Sequence, residues 1–261
     1  MIGPPALLIE EADGLVVVRL NRSDACNALN PPLIEALTRT AQDLRRRADV
    51  RAVILTGTET FFSAGVDLKG EPDGGTLSER RARALAGPDL CRAWEEIETV
   101  TIVAIEAYCV GGACALALAC DFRVMGSSAM MRLPEVALGM NMSWGAVPRV
   151  TALIGPARAK RFIIEGVPTT AQTCLAWGLA DDVVADGQAL GAAHAWASRI
   201  ASLPPLPVRM SKQAVNACAN ALHGATAFMD RDQFLLTLTT DDLREGVEAF
   251  VHKRPATFLG D

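Results

Sequence analysis

Three short apolar segments dominate this sequence: LVVVRL at residues 15–20, VRAVILT at 50–56 and TIVAI at 101–105. They are β-branched, continuous rather than alternating, and too short for buried helices, so they predict strands buried on both faces. A fourth of the same kind is DFRVM at 121–125. Helical stretches separate them. Pro31-Pro32 opens one that runs to residue 47, since proline suits the first turn of a helix. Residues 78–100 read as a second helix, and 111–119 as a glycine turn running into a buried helix. Strands alternating with helices predict an α/β core. After the PPLP break at 204–207, residues 208–221 and 226–250 read as helices with no further strand. The expected organisation is a core over 1–203 and a helical C-terminal region over 204–261.

Half of the 261 residues are hydrophobic and 21% are charged, enough to bury a sizeable core. A net charge of −5 argues against a general nucleic-acid binder, which would show a basic face. The arginine groups at 45–47 and 80–83 read as solvated helix faces. Three histidines leave little room for a His-rich metal site, and no metal is expected. Acid–base chemistry would then fall to one of 30 carboxyl side chains. Seven cysteines, an odd number without a C-x-x-C pair, predict free thiols in a reducing cytoplasm. The N-terminus has no basic start and predicts no signal peptide. The longest apolar stretch, 107–120, is shorter than the roughly 20 residues of a membrane span.

Three segments carry candidate chemistry. In Phe62-Ser63-Ala64-Gly65-Val66-Asp67-Leu68 a glycine follows a strand, and free N–H groups in such a turn can point at a ligand oxygen. Val110-Gly111-Gly112-Ala113-Cys114 stands between a strand and an apolar helix, where orphan N–H groups carry partial positive charge. It matches neither a Walker A loop nor a G-x-G-x-x-G fingerprint, and close helix–strand packing would explain it equally well. In Arg132-Leu133-Pro134-Glu135-Val136-Ala137-Leu138-Gly139 a glutamate among apolar residues is either held for proton transfer or sits on the surface beside a proline turn.

Taken in order, SAGVDL, VGGAC and LPEVALG resemble the crotonase family, the enoyl-CoA hydratase/isomerase superfamily. NRSDACNALN at 21–30, VRAVILTG, CDF at 120–122, AWGLADDVV at 176–184 and the ending REG to KRP at 244–255 extend the resemblance over almost the whole chain. It implies a spiral of ββα units with a helical C-terminal region that packs homotrimers, often paired to hexamers. It implies an acyl-CoA thioester as substrate, coenzyme A as part of that substrate, and no tightly bound cofactor. The oxyanion hole maps to the N–H groups of Ala64 and Gly112. The CoA-binding segments map to Ala25, Cys26 and Asn27 and to Ala64, Gly65, Val66, Asp67 and Leu68, with Lys253 and Arg254 near the nucleotide. Trp144 and Ala115 map to the acyl pocket, bordered by the loop over 69–77.

Hydratases of the family hold water between two glutamates. Glu135 stands at one of those positions, but the other is Ala115, which cannot carry a proton. A single carboxylate suits isomerisation of an enoyl-CoA double bond, with Glu135 as base and acid. Hydration with a replaced second carboxylate, for which Asp67 is a candidate, stays open. So do decarboxylation, thioester hydrolysis and a non-catalytic acyl-CoA-binding role. A bulky Trp144 would exclude water and favour proton return, though plain core packing accounts for it as well.

Overall fold

The computed structural model describes residues 5–67 and 74–261. Nine strands lie among the described residues: β1 (Leu7–Ala12), β2 (Leu15–Leu20), β3 (Ala52–Thr56), β4 (Val100–Ile105), β5 (Tyr108–Val110), β6 (Phe122–Gly126), β7 (Met130–Arg132), β8 (Thr169–Thr170) and β9 (Asp182–Val184). They form a six-stranded sheet in the order β1-β2-β3-β4-β6-β9, parallel except for the β1–β2 hairpin. A second sheet runs β5-β7-β8. Strand, turn, strand of the other sheet, then helix is the repeating ββα unit, most plainly β4, β5 and the helix that follows.

The continuous apolar strands have the cause the sequence suggests. Val53, Leu55, Val103 and Ile105 face the main core, while Ala52, Ile54, Ile102 and Ala104 alternate into a second cluster. Helices cover both faces, so neither set of side chains meets water. The helices are α1 (Pro31–Arg45), α2 (Leu77–Arg83), α3 (Ala86–Glu95), α4 (Gly112–Ala119), α5 (Ala146–Lys160), α6 (Ala171–Trp177) and α7 (Ala189–Ala201). Leu33 and Leu37 of α1, Leu90 and Trp94 of α3 and Leu116 of α4 fill the main core. Ala189, Ala193 and Ala197 of α7 recur every four residues and close the second cluster.

The long helix expected over 78–100 is two, α2 and α3. Pro88 has no N–H to donate to the Ala84 carbonyl, so it sits in the first turn of a new helix. Beyond Leu203 the described chain holds four helices and no strand: α8 (Pro205–Ala219), α9 (His223–Ala227), α10 (Asp230–Thr237) and α11 (Asp241–Val251). The second expected helix there is thus three short ones. α11 begins at a cap where the Leu243 N–H donates to the Thr240 hydroxyl. No helix among the described residues is long and apolar enough to cross a membrane.

Candidate active site

The three chemical segments converge because all of them border β5. After β3, the Phe62 N–H donates to the Glu106 carbonyl at 2.8 Å and the Ser63 N–H to the Tyr108 carbonyl at 2.9 Å. The Val110 N–H returns a bond to the Ser63 carbonyl at 3.2 Å. On the other edge β5 pairs with β7, which leads directly to Glu135. The Gly111 N–H donates to the Arg132 carbonyl at 2.8 Å and ties the glycine turn to that strand.

Gly111 adopts φ +55° and ψ −127°, a conformation that glycine reaches freely. A Cβ there would also lie 2.9 Å from Glu135 Oε1. The carboxylate is thus packed against the head of α4. Its Oε2 is buried without a hydrogen-bond partner among the described residues. Burial pushes the Glu135 carboxyl up to about 7, and the Arg132 guanidinium opposes this only in part. Arg132 itself donates to the Gly166 carbonyl. A carboxyl poised near neutrality, with one oxygen bare, can accept and return a proton.

The glycine-bearing loop supplies the donors, with one change from expectation. The Ala64 N–H donates to the Cys26 carbonyl at 3.0 Å and is spent. Val66 is the better donor. The Gly65 carbonyl and the Asp67 N–H both bond to Leu29, so the peptide groups on either side of Val66 face that residue. In such a parallel bridge Val66's own N–H points the other way, and no acceptor meets it among the described residues. Val66 Cγ2 lies 2.9 Å from where a Cβ on Gly112 would stand. The Gly112 N–H is one of the orphan donors of the first turn of α4. Val66 and Gly112 therefore offer two fixed donors close to one carboxylate. The signal for Val66 over Ala64 was the two-residue register of a strand-like loop, which the motif alone does not reveal.

Other expected residues fall into two groups. Asn27 is fully buried at φ +52° and has no surface to offer a ligand. Its Oδ1 accepts from the Arg22 N–H at 2.8 Å and its Nδ2 donates to the Phe62 carbonyl at 2.9 Å, so it braces the loop from beneath. Gly65 is buried at φ +93°, and a Cβ there would lie 2.5 Å from the Val110 carbonyl. Asp67 lies 3.4 Å from Arg22, an ion pair that ties the loop to the turn over 22–28. Ala25 is half-buried, while Cys26, Ala64 and Val66 are exposed beside the donors. Leu68 and residues 69–73 lie outside the described residues. Arg254 forms a forked pair with Glu245, at 2.5 and 2.7 Å, that holds the Glu245 carboxyl at about 2. Arg45, Arg46 and Arg47 each pair with a carboxylate, as solvated faces do.

Ala115 is fully buried in α4 and brings no carboxylate. Burial, and next the neighbouring Cys109 thiol, push the Cys114 thiol well above the ordinary value, so it is no nucleophile. All seven cysteines are free, and no metal-holding cluster occurs among the described residues. Trp144 adopts φ +64° and lays its indole across two glycines. A Cβ on Gly112 would lie 2.7 Å from its Cη2, and one on Gly87 of α3 would lie 1.9 Å from its Cε2. Neither glycine can be exchanged while the ring stays there. Gly87 was not legible as a site residue, since a glycine inside a helical stretch carries no mark of what lies across it.

A family model described as enoyl-CoA hydratase/isomerase matches residues 10–261. The crotonyl-CoA hydratase of Syntrophomonas wolfei is 32% identical over 254 residues, covering 97% of both chains. The short-chain-enoyl-CoA hydratase of Clostridium acetobutylicum is 30% identical over 249 residues, covering 95% of both. Among solved structures, an enoyl-CoA hydratase/isomerase from Pseudoalteromonas atlantica superposes with a TM-score of 0.88 at 25% identity, over 98% of this chain and 100% of that one.

Proposed function

The chain belongs to the enoyl-CoA hydratase/isomerase family, and on that footing we propose that it moves the double bond of an enoyl-CoA thioester. Glu135 removes a proton from C2 of a 3-enoyl-CoA. The electron pair passes onto the thioester oxygen, where the Val66 and Gly112 N–H groups hold the charge. Protonated Glu135 then gives the proton to C4, and the double bond ends between C2 and C3. The observation that carries this reading is the bare, buried Glu135 Oε2 in a site whose second carboxylate position is Ala115. Coenzyme A enters as part of the substrate, over the exposed Cys26, Ala64 and Val66 and the half-buried Ala25. We place the protein in the cytoplasm as a homotrimer, with residues 1–203 as catalytic core and 204–261 as the assembling region.

Hydration is the second reading, favoured by the names of the relatives. One assay separates the two. Purified protein is given 3-enoyl-CoA and 2-enoyl-CoA in parallel and the products are resolved. Conversion of the 3-enoyl to the 2-enoyl ester without 3-hydroxyacyl-CoA supports isomerisation; rapid 3-hydroxyacyl-CoA formation overturns it. Ala115→Glu is expected to raise hydration, by restoring a second carboxylate beside Glu135.

A further inference from the structure

The Val66 N–H belongs to the peptide that joins Gly65 to Val66, so its direction is only as firm as Gly65 is. Gly65 is the softest link of the loop, a residue without a Cβ at φ +93°. Both of its polar groups are tied. Its carbonyl accepts from the Leu29 N–H at 2.7 Å, and its N–H donates to the Ser63 hydroxyl at 3.2 Å. That hydroxyl donates in turn to the Asn27 carbonyl at 2.8 Å. Ser63 and Asn27 are both fully buried. The Ser63 main chain is anchored on β5, where its N–H and carbonyl bond Tyr108 and Val110. The hydroxyl therefore stands on a fixed base, and one glycine separates it from the Val66 donor.

We propose that Ser63 is a positioning residue for the donor pair: its hydroxyl, seated on the Asn27 carbonyl, holds Gly65 so that the Val66 N–H meets the thioester oxygen together with the Gly112 N–H. This rests on the acyl-CoA reading above. A fully buried Ser63 touches no substrate and acts through a single peptide plane. Without the hydroxyl, the Gly65 N–H and the Asn27 carbonyl lose their partner, and the glycine is free to turn to find another. The donor on the far side of Gly65 turns with it. Such a donor works because it is aimed before charge develops, so a small rotation costs rate more than it costs binding.

The test is infrared difference spectroscopy of bound butyryl-CoA, isotope-labelled at its carbonyl carbon, beside kcat and KM for the enoyl-CoA turned over. This saturated ester has no double bond to move, and hydrogen bonds to its carbonyl lower the stretching frequency. The wild type is expected to lower it relative to the free ester. Ser63→Ala is expected to lose part of that shift and about tenfold in kcat, with the Kd for butyryl-CoA within about threefold of the wild type. Ser63→Cys, nearly isosteric but a weaker donor, is expected to fall between them. A loss of kcat at unchanged frequency, or weaker binding at unchanged kcat, means a merely structural role and overturns the proposal. Wild-type frequency and kcat in Ser63→Ala overturn it too, as they do in Ser63→Cys should the alanine variant not fold. If the wild type shifts the carbonyl but turns over no enoyl-CoA, the reaction reading fails and the frequency in the Ser63 variants alone decides the proposal. A wild type that does not bind the ester, or binds it without shifting the carbonyl, overturns both.

Discussion

At the scale of a residue, Glu135 shows how position sets chemistry. A carboxyl in water titrates near 4.5, but burial holds this one at about 7. The base must be ionised to take a proton, so kcat/KM is expected to fall as pH drops through about 7, which a pH–rate profile checks. Stability runs the opposite way. The folded state favours the protonated form, so this contribution is whole below 4.5 and is lost as pH rises through about 7, by about 3 kcal/mol at most. Glu135→Gln removes the ionisation. Its unfolding free energy should lack that decline across neutral pH, as paired denaturant titrations would show. The same substitution is expected to lower turnover by about 10²–10⁴-fold while CoA-ester binding persists. Near-wild-type activity would rule out Glu135 as the proton carrier. Glu135 could be singled out in the sequence by its apolar neighbours, but the sequence does not show that Oε2 lacks a partner among the described residues. That depends on what β5 and the turn at Gly111 place against it.

At the scale of elements, α3 and α4 meet through an indole. Gly87 inside α3 sacrifices up to about 1 kcal/mol of helix propensity relative to alanine. The steric cause is Trp144, which occupies the space a Cβ would need. Gly87→Ala should therefore destabilise the protein by about 1–3 kcal/mol through overpacking, despite the gain in propensity. In the background of Trp144→Ala the same change should be neutral or stabilising. A double-mutant cycle in urea measures this coupling, and additive effects would mean that the two residues do not share the space. The sequence predicted α1 and α4 well, because Pro31-Pro32 and Gly111-Gly112 mark their starts. It joined α2 to α3 because the apolar pattern runs on through the break, and a single proline reads as easily as a first-turn residue as an interruption. β5, β7 and β8 are two or three residues long and show no periodicity. They exist as strands only because neighbours supply their hydrogen bonds.

At the scale of the whole molecule, the C-terminal region leaves much apolar surface uncovered. Leu206 is 69% exposed, Leu222 and Phe228 both 72%, and Leu236 69%. Surface of this kind marks association sites. The chain is expected to elute at three times its monomer mass, or a multiple of that, in light scattering coupled to size exclusion. Leu206→Glu should shift it toward monomer, since a charge inside an apolar interface lacks a partner. A wild type that stays monomeric at working concentration would refute the assembly.

The sequence by itself determined the layered α/β architecture, because continuous β-branched runs can be buried only between two layers of helices. It determined the chemical inventory too: one glutamate in an apolar segment, two glycine turns, and alanine at position 115. The tertiary structure decided which amides are free. Ala64 and Val66 are two residues apart in one motif, yet the first is bonded to Cys26 and the second is left open among the described residues. It also decided that Asn27 serves the loop rather than a ligand, and that Trp144 lies against Gly112 and Gly87. Hydrogen-bond occupancy and shared volume belong to pairs of distant residues, and a pattern read along one chain cannot hold them.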